Sequence, residues 1–207
     1  MIRIAAAALT LGICAASLAQ AACPAGLPPG VACGAPDAKL APAGVYKIDP
    51  KHTAVVAKVS HLDYSLSAFR FGDVAGQLTW DPAAPDASKL TATVSTASIE
   101  TPVSGFAEEL SGDKYLKSKA FPQASFVSTA FHRKDETHGV VSGDFTLMGV
   151  THPQTFEVEL IGAGKGFGAP RIGIEAHTTI DPKAYGMSPF FVTPIGLTID
   201  SEFVRQP

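Results

Sequence analysis

From Val45 onward, apolar residues return at every second position in short runs. Thr53, Val55, Ala57 and Val59 face one way, while Ala54, Val56, Lys58 and Ser60 face the other. A half-buried strand produces this pattern because successive side chains point to opposite faces of a sheet. Leu90, Ala92 and Val94 alternate with threonine and serine, and Phe156, Val158 and Leu160 oppose Thr155, Glu157 and Glu159. The clearest stripe is Ile172, Ile174, Ala176, Thr178 and Ile180, with Glu175 and His177 opposite. Ile195, Leu197, Ile199, Ser201 and Phe203 repeat it. With further runs over Phe69–Trp80, Ala124–Arg133 and Val140–Val150, the chain predicts about eight strands broken by Gly, Pro and Asp.

One interval departs from this rhythm. Between Thr101 and Ala120, Val103, Phe106 and Leu110 recur at spacings of three and four, the stripe of an amphipathic helix. Thr101-Pro102 fits a helix start and Gly112 an interruption, and Ala120-Phe121-Pro122 returns the chain to extended structure. About eight antiparallel strands with one apolar stripe each predict an all-β sheet closed into a barrel, because closure removes exposed edges. The stripes point inward and Lys, Glu, Thr and Asp outward, the reverse of an outer-membrane barrel. A barrel that does not span a membrane is expected.

Ahead of the barrel the pattern changes twice. Arg3 precedes an uncharged Ala/Leu-rich run from Ile4 to Leu18, and Ala19-Gln20-Ala21 supplies small residues for cleavage. Residues 1–21 therefore read as a signal peptide and the protein as exported to the periplasm. Residues 22–44 are rich in Pro, Gly and Ala and read as an arm or tether, with the barrel domain over 45–207. Cys14 leaves with the leader, so the mature chain keeps Cys23 and Cys33, an even pair expected to form a local disulfide in an oxidising compartment.

Composition narrows the function classes. Lys+Arg 16 against Asp+Glu 19 gives a net charge of -3 with no basic cluster, which excludes nucleic acid as a partner. The six histidines, His52, His61, His132, His138, His152 and His177, show no helical i, i+4 pair and no CxxC, so neither metal nor cofactor is expected. His132 and His138 flank a hairpin turn, and His177 lies on the polar face of its strand. There is no GxSxG elbow, and Glu108-Glu109 reads as a solvated helix face. No catalytic constellation emerges, so an enzyme is not expected.

Aromatic residues carry more information. Phe accounts for 12 of them against Tyr 4 and Trp 1, and Phe69, Phe71, Phe106, Phe121, Phe190 and Phe191 fall at strand ends or in loops. They either fill the barrel as core or line a cavity for an apolar ligand.

Motifs along the chain resemble the YceI-like family of periplasmic lipid-binding proteins. Tyr46-Lys47-Ile48-Asp49-Pro50-Lys51-His52-Thr53 resembles its opening strand. Leu110-Ser111-Gly112-Asp113 through Phe121-Pro122-Gln123-Ala124-Ser125-Phe126-Val127-Ser128 resembles its helix-to-strand segment. Gly143-Asp144-Phe145-Thr146-Leu147-Met148-Gly149-Val150-Thr151 is similar to its Gly-x-Leu-Thr-Leu-x-Gly-Val-Thr strand, and Ile180-Asp181-Pro182-Lys183-Ala184-Tyr185-Gly186-Met187 to its Ile-x-Arg-x-Asp-Phe-Gly-Met signature. The resemblance spans Val45 to Val204. It implies an eight-stranded lipocalin-like barrel with a short helix near one opening, holding a polyisoprenoid or fatty-acyl lipid in a long apolar tunnel. Two departures stand out: Lys183, Ala184 and Tyr185 remove an acidic group before Gly186, and Phe145 stands where the family has Leu.

Stripe and position then nominate Phe69, Phe71, Phe106, Leu110, Phe126, Phe145, Met148 and Met187 as ligand-lining residues. Arg70 is a candidate partner for a polar head group. The expected function is non-catalytic binding, transport or sequestration of such a lipid. The alternative is a secreted interaction module with a filled core and no small-molecule ligand. A homodimer is compatible with either.

Overall fold

The computed structural model describes residues 23–187 and 194–207. The leader expected over 1–21, with Cys14, and the aromatics Phe190 and Phe191 lie outside the described residues.

The strands form one antiparallel sheet closed on itself. Its first stave is β1 (Gly44–Ile48) continued by β2 (Ala54–His61), and its second is β3 (Ser65–Phe71) continued by β4 (Val74–Trp80). The third is β5 (Lys89–Ser95) continued by the short β6 (Ile99–Glu100). Then come β7 (Gln123–Arg133), β8 (His138–Leu147), β9 (Val150–Gly166), β10 (Ala169–Ile180) and β11 (Ile195–Arg205). Each stave pairs with the next in the chain, and β11 returns to the first, making an 8-stranded barrel. β11 lies against β10 along its whole length. On its other edge, Gly196–Asp200 pair with β2 and Phe203–Arg205 with β1.

The run expected as one strand over Phe69–Trp80 is thus two, parted at Gly72-Asp73. Neighbouring staves break at the same level for local reasons. Asp49 accepts the Lys51 N–H at 3.0 Å and Pro50 offers no N–H, so the first stave turns there. In the third, buried Thr96 turns out of the ladder, its hydroxyl donating to the Phe121 carbonyl at 2.8 Å and its N–H to Pro122 at 2.9 Å. The breaks crease the wall without exposing backbone groups.

The helix is shorter than its stripe predicts. Helix α1 covers only Phe106–Ser111, after Gly105 in the left-handed region at φ 76°. Thr101 does not cap it: its hydroxyl accepts the Val103 N–H at 3.3 Å in a separate turn, and Val103 is 58% exposed. Glu109 and Gly112 close the C-terminal end through a backbone hydrogen bond of 3.1 Å. Leu110, Tyr115 and Leu116 are buried, so α1 and the turns after it cover the end of the barrel where β8 passes to β9.

The opposite end is covered by the arm, which is docked and not a free tether. Ala35 and Ala163 exchange both backbone hydrogen bonds, at 2.9 and 2.7 Å. Asp37 caps a 3-10 turn over Ala38–Leu40, accepting from Lys39 N–H at 2.9 Å. Trp80 donates its indole N–H to the Ala41 carbonyl at 3.2 Å, and Tyr46 its hydroxyl to Pro42 at 2.7 Å. Glycine at 34 permits the approach: a Cβ there would stand 3.3 Å from the Gly162 backbone of β9. Cys23 and Cys33 are bridged, with Cα atoms 5.9 Å apart, closing the loop that precedes this docked stretch.

Candidate functional site

The inward stripes surround a cavity of about 250 Å³. β2 contributes Val55, Ala57 and Val59, β5 Leu90, Ala92 and Val94, and β11 Ile195, Leu197 and Ile199. Among the described residues no charged side chain lines it. The lining hydroxyls are already engaged: Thr53 and Ser201 share a hydrogen bond of 3.0 Å, and Thr96 is spent on the Phe121 carbonyl. Tyr115 presents its ring, with the Lys114 ammonium 5.0 Å from the ring centroid. Among the described residues the wall turns only apolar surface to the space, so it offers neither water nor a polar solute a partner.

Of the nominated residues, Phe69, Phe71, Leu110, Phe126, Phe145 and Met187 line this cavity. Phe126 packs edge-on against Phe156 with ring centroids 4.9 Å apart, fixing part of the wall. Phe145 points inward, as its departure from the family's Leu required for narrowing, and stacks edge-on against Tyr185 at 5.5 Å. Tyr185 replaces the Phe of the family signature; it is buried, which pushes its hydroxyl pKa up, and His152 stands edge-on to it at 5.2 Å.

Phe106 and Met148, also nominated, are not among the residues that line the cavity. Phe106 reaches only as far as Phe69, edge-on at 6.1 Å. Met148 sits at φ 51° in the β8–β9 turn, followed by Gly149 at φ 79°, so two left-handed residues carry its side chain out of the alternation into the packing around the cavity. Arg70 lies on the outer face, tied to Glu100 at 3.1 Å across β3 and β6.

Sequence reasoning missed Phe131, which also lines the cavity. Ala124 and Phe126 point inward, so strict alternation along β7 puts Ala130 inside and Phe131 outside. A bulge between Ser128 and Ala130 shifts the register by one and reverses that parity. Ser128 stabilises the bulge by accepting the Leu90 N–H at 2.7 Å, just past the end of the β5–β7 ladder. Opposite it stands Gly143, where a Cβ would lie 2.3 Å from the Val127 carbonyl oxygen. Glycine at that place in β8 was the available signal.

Outside the barrel, Asp49, His52 and Glu202 hold potential ligand atoms within 4.8 Å of one another. The Arg171 guanidinium already fills the position of a cation there, 3.0 Å from Asp49 and 2.8 Å from Glu202. His177 bonds Glu175 on the outer face, where burial and then the Glu175 carboxylate raise the pKa of Asp200. His138 binds Asp135 at the β7–β8 turn. None of these groups reaches the cavity. No helix among the described residues is long and apolar enough to cross a membrane.

Comparison with known proteins agrees with this architecture. A UPF0312 protein of Pseudomonas putida strain W619 is 38% identical over 169 residues, covering 79% of this chain and 88% of its own length. The crystal structure of the Campylobacter jejuni YceI protein superposes with a TM-score of 0.64 at 26% identity, covering 72% of this chain and 91% of its own. A polyisoprenoid binding domain from Saccharophagus degradans, implicated in plant cell wall breakdown, shares the fold with a TM-score of 0.58 at 12% identity, over 78% of this chain and 98% of its own. The YceI-like domain pattern matches residues 46–203, from the first stave to the last. The chain belongs to the YceI-like family.

Proposed function

We propose that the barrel is a non-catalytic carrier that sequesters the apolar chain of a polyisoprenoid or fatty-acyl lipid in its central cavity. The observation that carries this reading is a cavity of about 250 Å³ whose wall has no charged group and turns only apolar surface inward among the described residues. Such a surface discriminates by exclusion: a polar solute loses its hydration without replacement, whereas an apolar chain gains roughly 25 cal/mol per Å² of surface removed from water. The polyisoprenoid binding assigned to the S. degradans domain supports the same ligand class for this fold. Among the described residues no carboxylate, amine, imidazole or thiol lines the space, which supports binding without bond making. The leader-like residues 1–21 and the Cys23–Cys33 bridge support export to the periplasm, where such bridges persist.

Native mass spectrometry of the mature protein from the periplasm, followed by lipid extraction, tests the reading. A stoichiometric isoprenoid or fatty-acyl species is the expected result. An empty protein that also fails to take up added long-chain lipid overturns it in favour of an interaction module with no small-molecule ligand.

A further inference from the structure

Behind the central cavity lies a second, smaller one of about 140 Å³, under the docked arm. Its own walls include Trp80, Leu160 and Ile172, with Ala38 and Ala41 of the arm as a roof. The two spaces share Leu78, Phe131, Val141, Val158 and Ile174. These belong to β4, β7, β8, β9 and β10, strands of the barrel wall, so the partition is made of inward side chains with no backbone crossing the lumen. Phe131 is the bulkiest of them and is only partly buried, packing against the apolar clusters on both sides.

Resting on the carrier reading, we infer that the rear cavity is the subsite for the far end of the lipid chain and that Phe131 sets the chain length the protein accepts. An apolar cavity of about 150 Å³ holds benzene, which corresponds to roughly 25 Å³ per carbon. On that scale the central cavity takes about ten carbons and the rear one a further five or six. A chain of about sixteen carbons, saturated or built from about three isoprene units, fills both once the Phe131 ring turns aside. The charged rim of the rear cavity, with Asp86, Arg133, Asp135, Glu136 and His138, then marks where an apolar chain must stop.

Equilibrium binding of straight-chain fatty acids from eight to twenty carbons to the whole mature protein tests this, read by displacement of a fluorescent fatty acid. Affinity is expected to rise up to about fourfold per added carbon, the value of one buried methylene, to about sixteen carbons and then level. Phe131→Trp is expected to move the break to about ten carbons. Phe131→Ala retains the break near sixteen with tighter binding of the long chains. Leu160→Trp fills the rear cavity from a wall that the central one does not share, and is also expected to move the break down, which keeps the test valid if Phe131 variants fold poorly. A break near ten carbons in the unaltered protein, or one that neither tryptophan moves, overturns the subsite while leaving the carrier reading standing. Absence of binding at every length, for straight-chain fatty acids and isoprenoid alcohols alike, overturns the carrier reading itself.

Discussion

Thr53 and Ser201, 148 residues apart in sequence, share a 3.0 Å hydrogen bond inside the barrel wall where the last strand meets the first stave. Both side chains are buried and face the cavity. Thr53→Val alone leaves the Ser201 hydroxyl without a partner and is expected to cost about 1–3 kcal/mol, the desolvation penalty of an orphaned polar group. Thr53→Val with Ser201→Ala removes both members, so most of that loss returns. Chemical denaturation of the single and double variants measures the difference. Equal additive losses would mean that the pair is not coupled.

Asp49 carries a pH dependence of known sign. Its carboxyl pKa falls from 3.8 to about 2, chiefly through the His52 hydrogen bond and then that from Arg171, with burial opposing. A carboxyl whose folded pKa lies below its unfolded value stabilises the fold above the unfolded value and loses that contribution as pH falls through the folded one. Thermal stability is therefore expected to drop between about pH 4 and 2, and less steeply in Asp49→Asn. Asp135, also held at about 2 by the Thr137 and His138 N–H groups, adds to the drop in both proteins, so the comparison isolates Asp49. Parallel melting curves in that window would remove Asp49 as a source.

Gly143 faces the bulge that turns Phe131 inward. A methyl group there meets the Val127 oxygen at 2.3 Å and the Phe126 ring at 2.6 Å. Gly143→Ala is expected to destabilise the barrel by about 1–3 kcal/mol, the usual cost of overpacking, or more because one clash is with backbone. Equilibrium unfolding measures it, and a change within a few tenths of a kcal/mol would show that the bulge relaxes freely.

Trp80 is the chain's single tryptophan, and its indole N–H holds the Ala41 carbonyl at 3.2 Å. Its fluorescence therefore reports whether the arm is docked. Replacing Cys23 and Cys33 by Ser releases the loop before the docked stretch, and proteolysis within residues 23–41 is expected to accelerate while the barrel's β-sheet circular dichroism persists. A red shift of Trp80 emission should accompany the cleavage. Unchanged proteolysis and emission would assign the arm's docking to its bonds with β9, Trp80 and Tyr46, without a share for the bridge.

The barrel was legible because its stripes obey a period of two over whole staves. Val55, Ala57 and Val59, and again Ile195, Leu197 and Ile199, point where alternation puts them. What escaped depended on departures from that period or on partners far away in sequence. One extra residue at Ser128–Ala130 reverses the parity of Phe131, and nothing within β7 announces it. Met148 leaves its stripe because it occupies a left-handed turn position. Val103 matches the helical stripe, yet Gly105 starts the helix after it. The arm looked like a tether because its dock, around Gly162 and Ala163, lies some 130 residues downstream and pairs with it through backbone groups, which leave no mark on hydropathy.

The pairing of β11 with both β1 and β2 has a consequence for how the protein is made. Until residues 195–205 are in place, the sheet has unsatisfied edges on β10 and on the first stave, and the inward apolar stripes face water. Closure joins segments about as distant as the domain allows, a topology that folds slowly. The apolar surface that the finished barrel encloses is thus the one most open to aggregation while the barrel is incomplete.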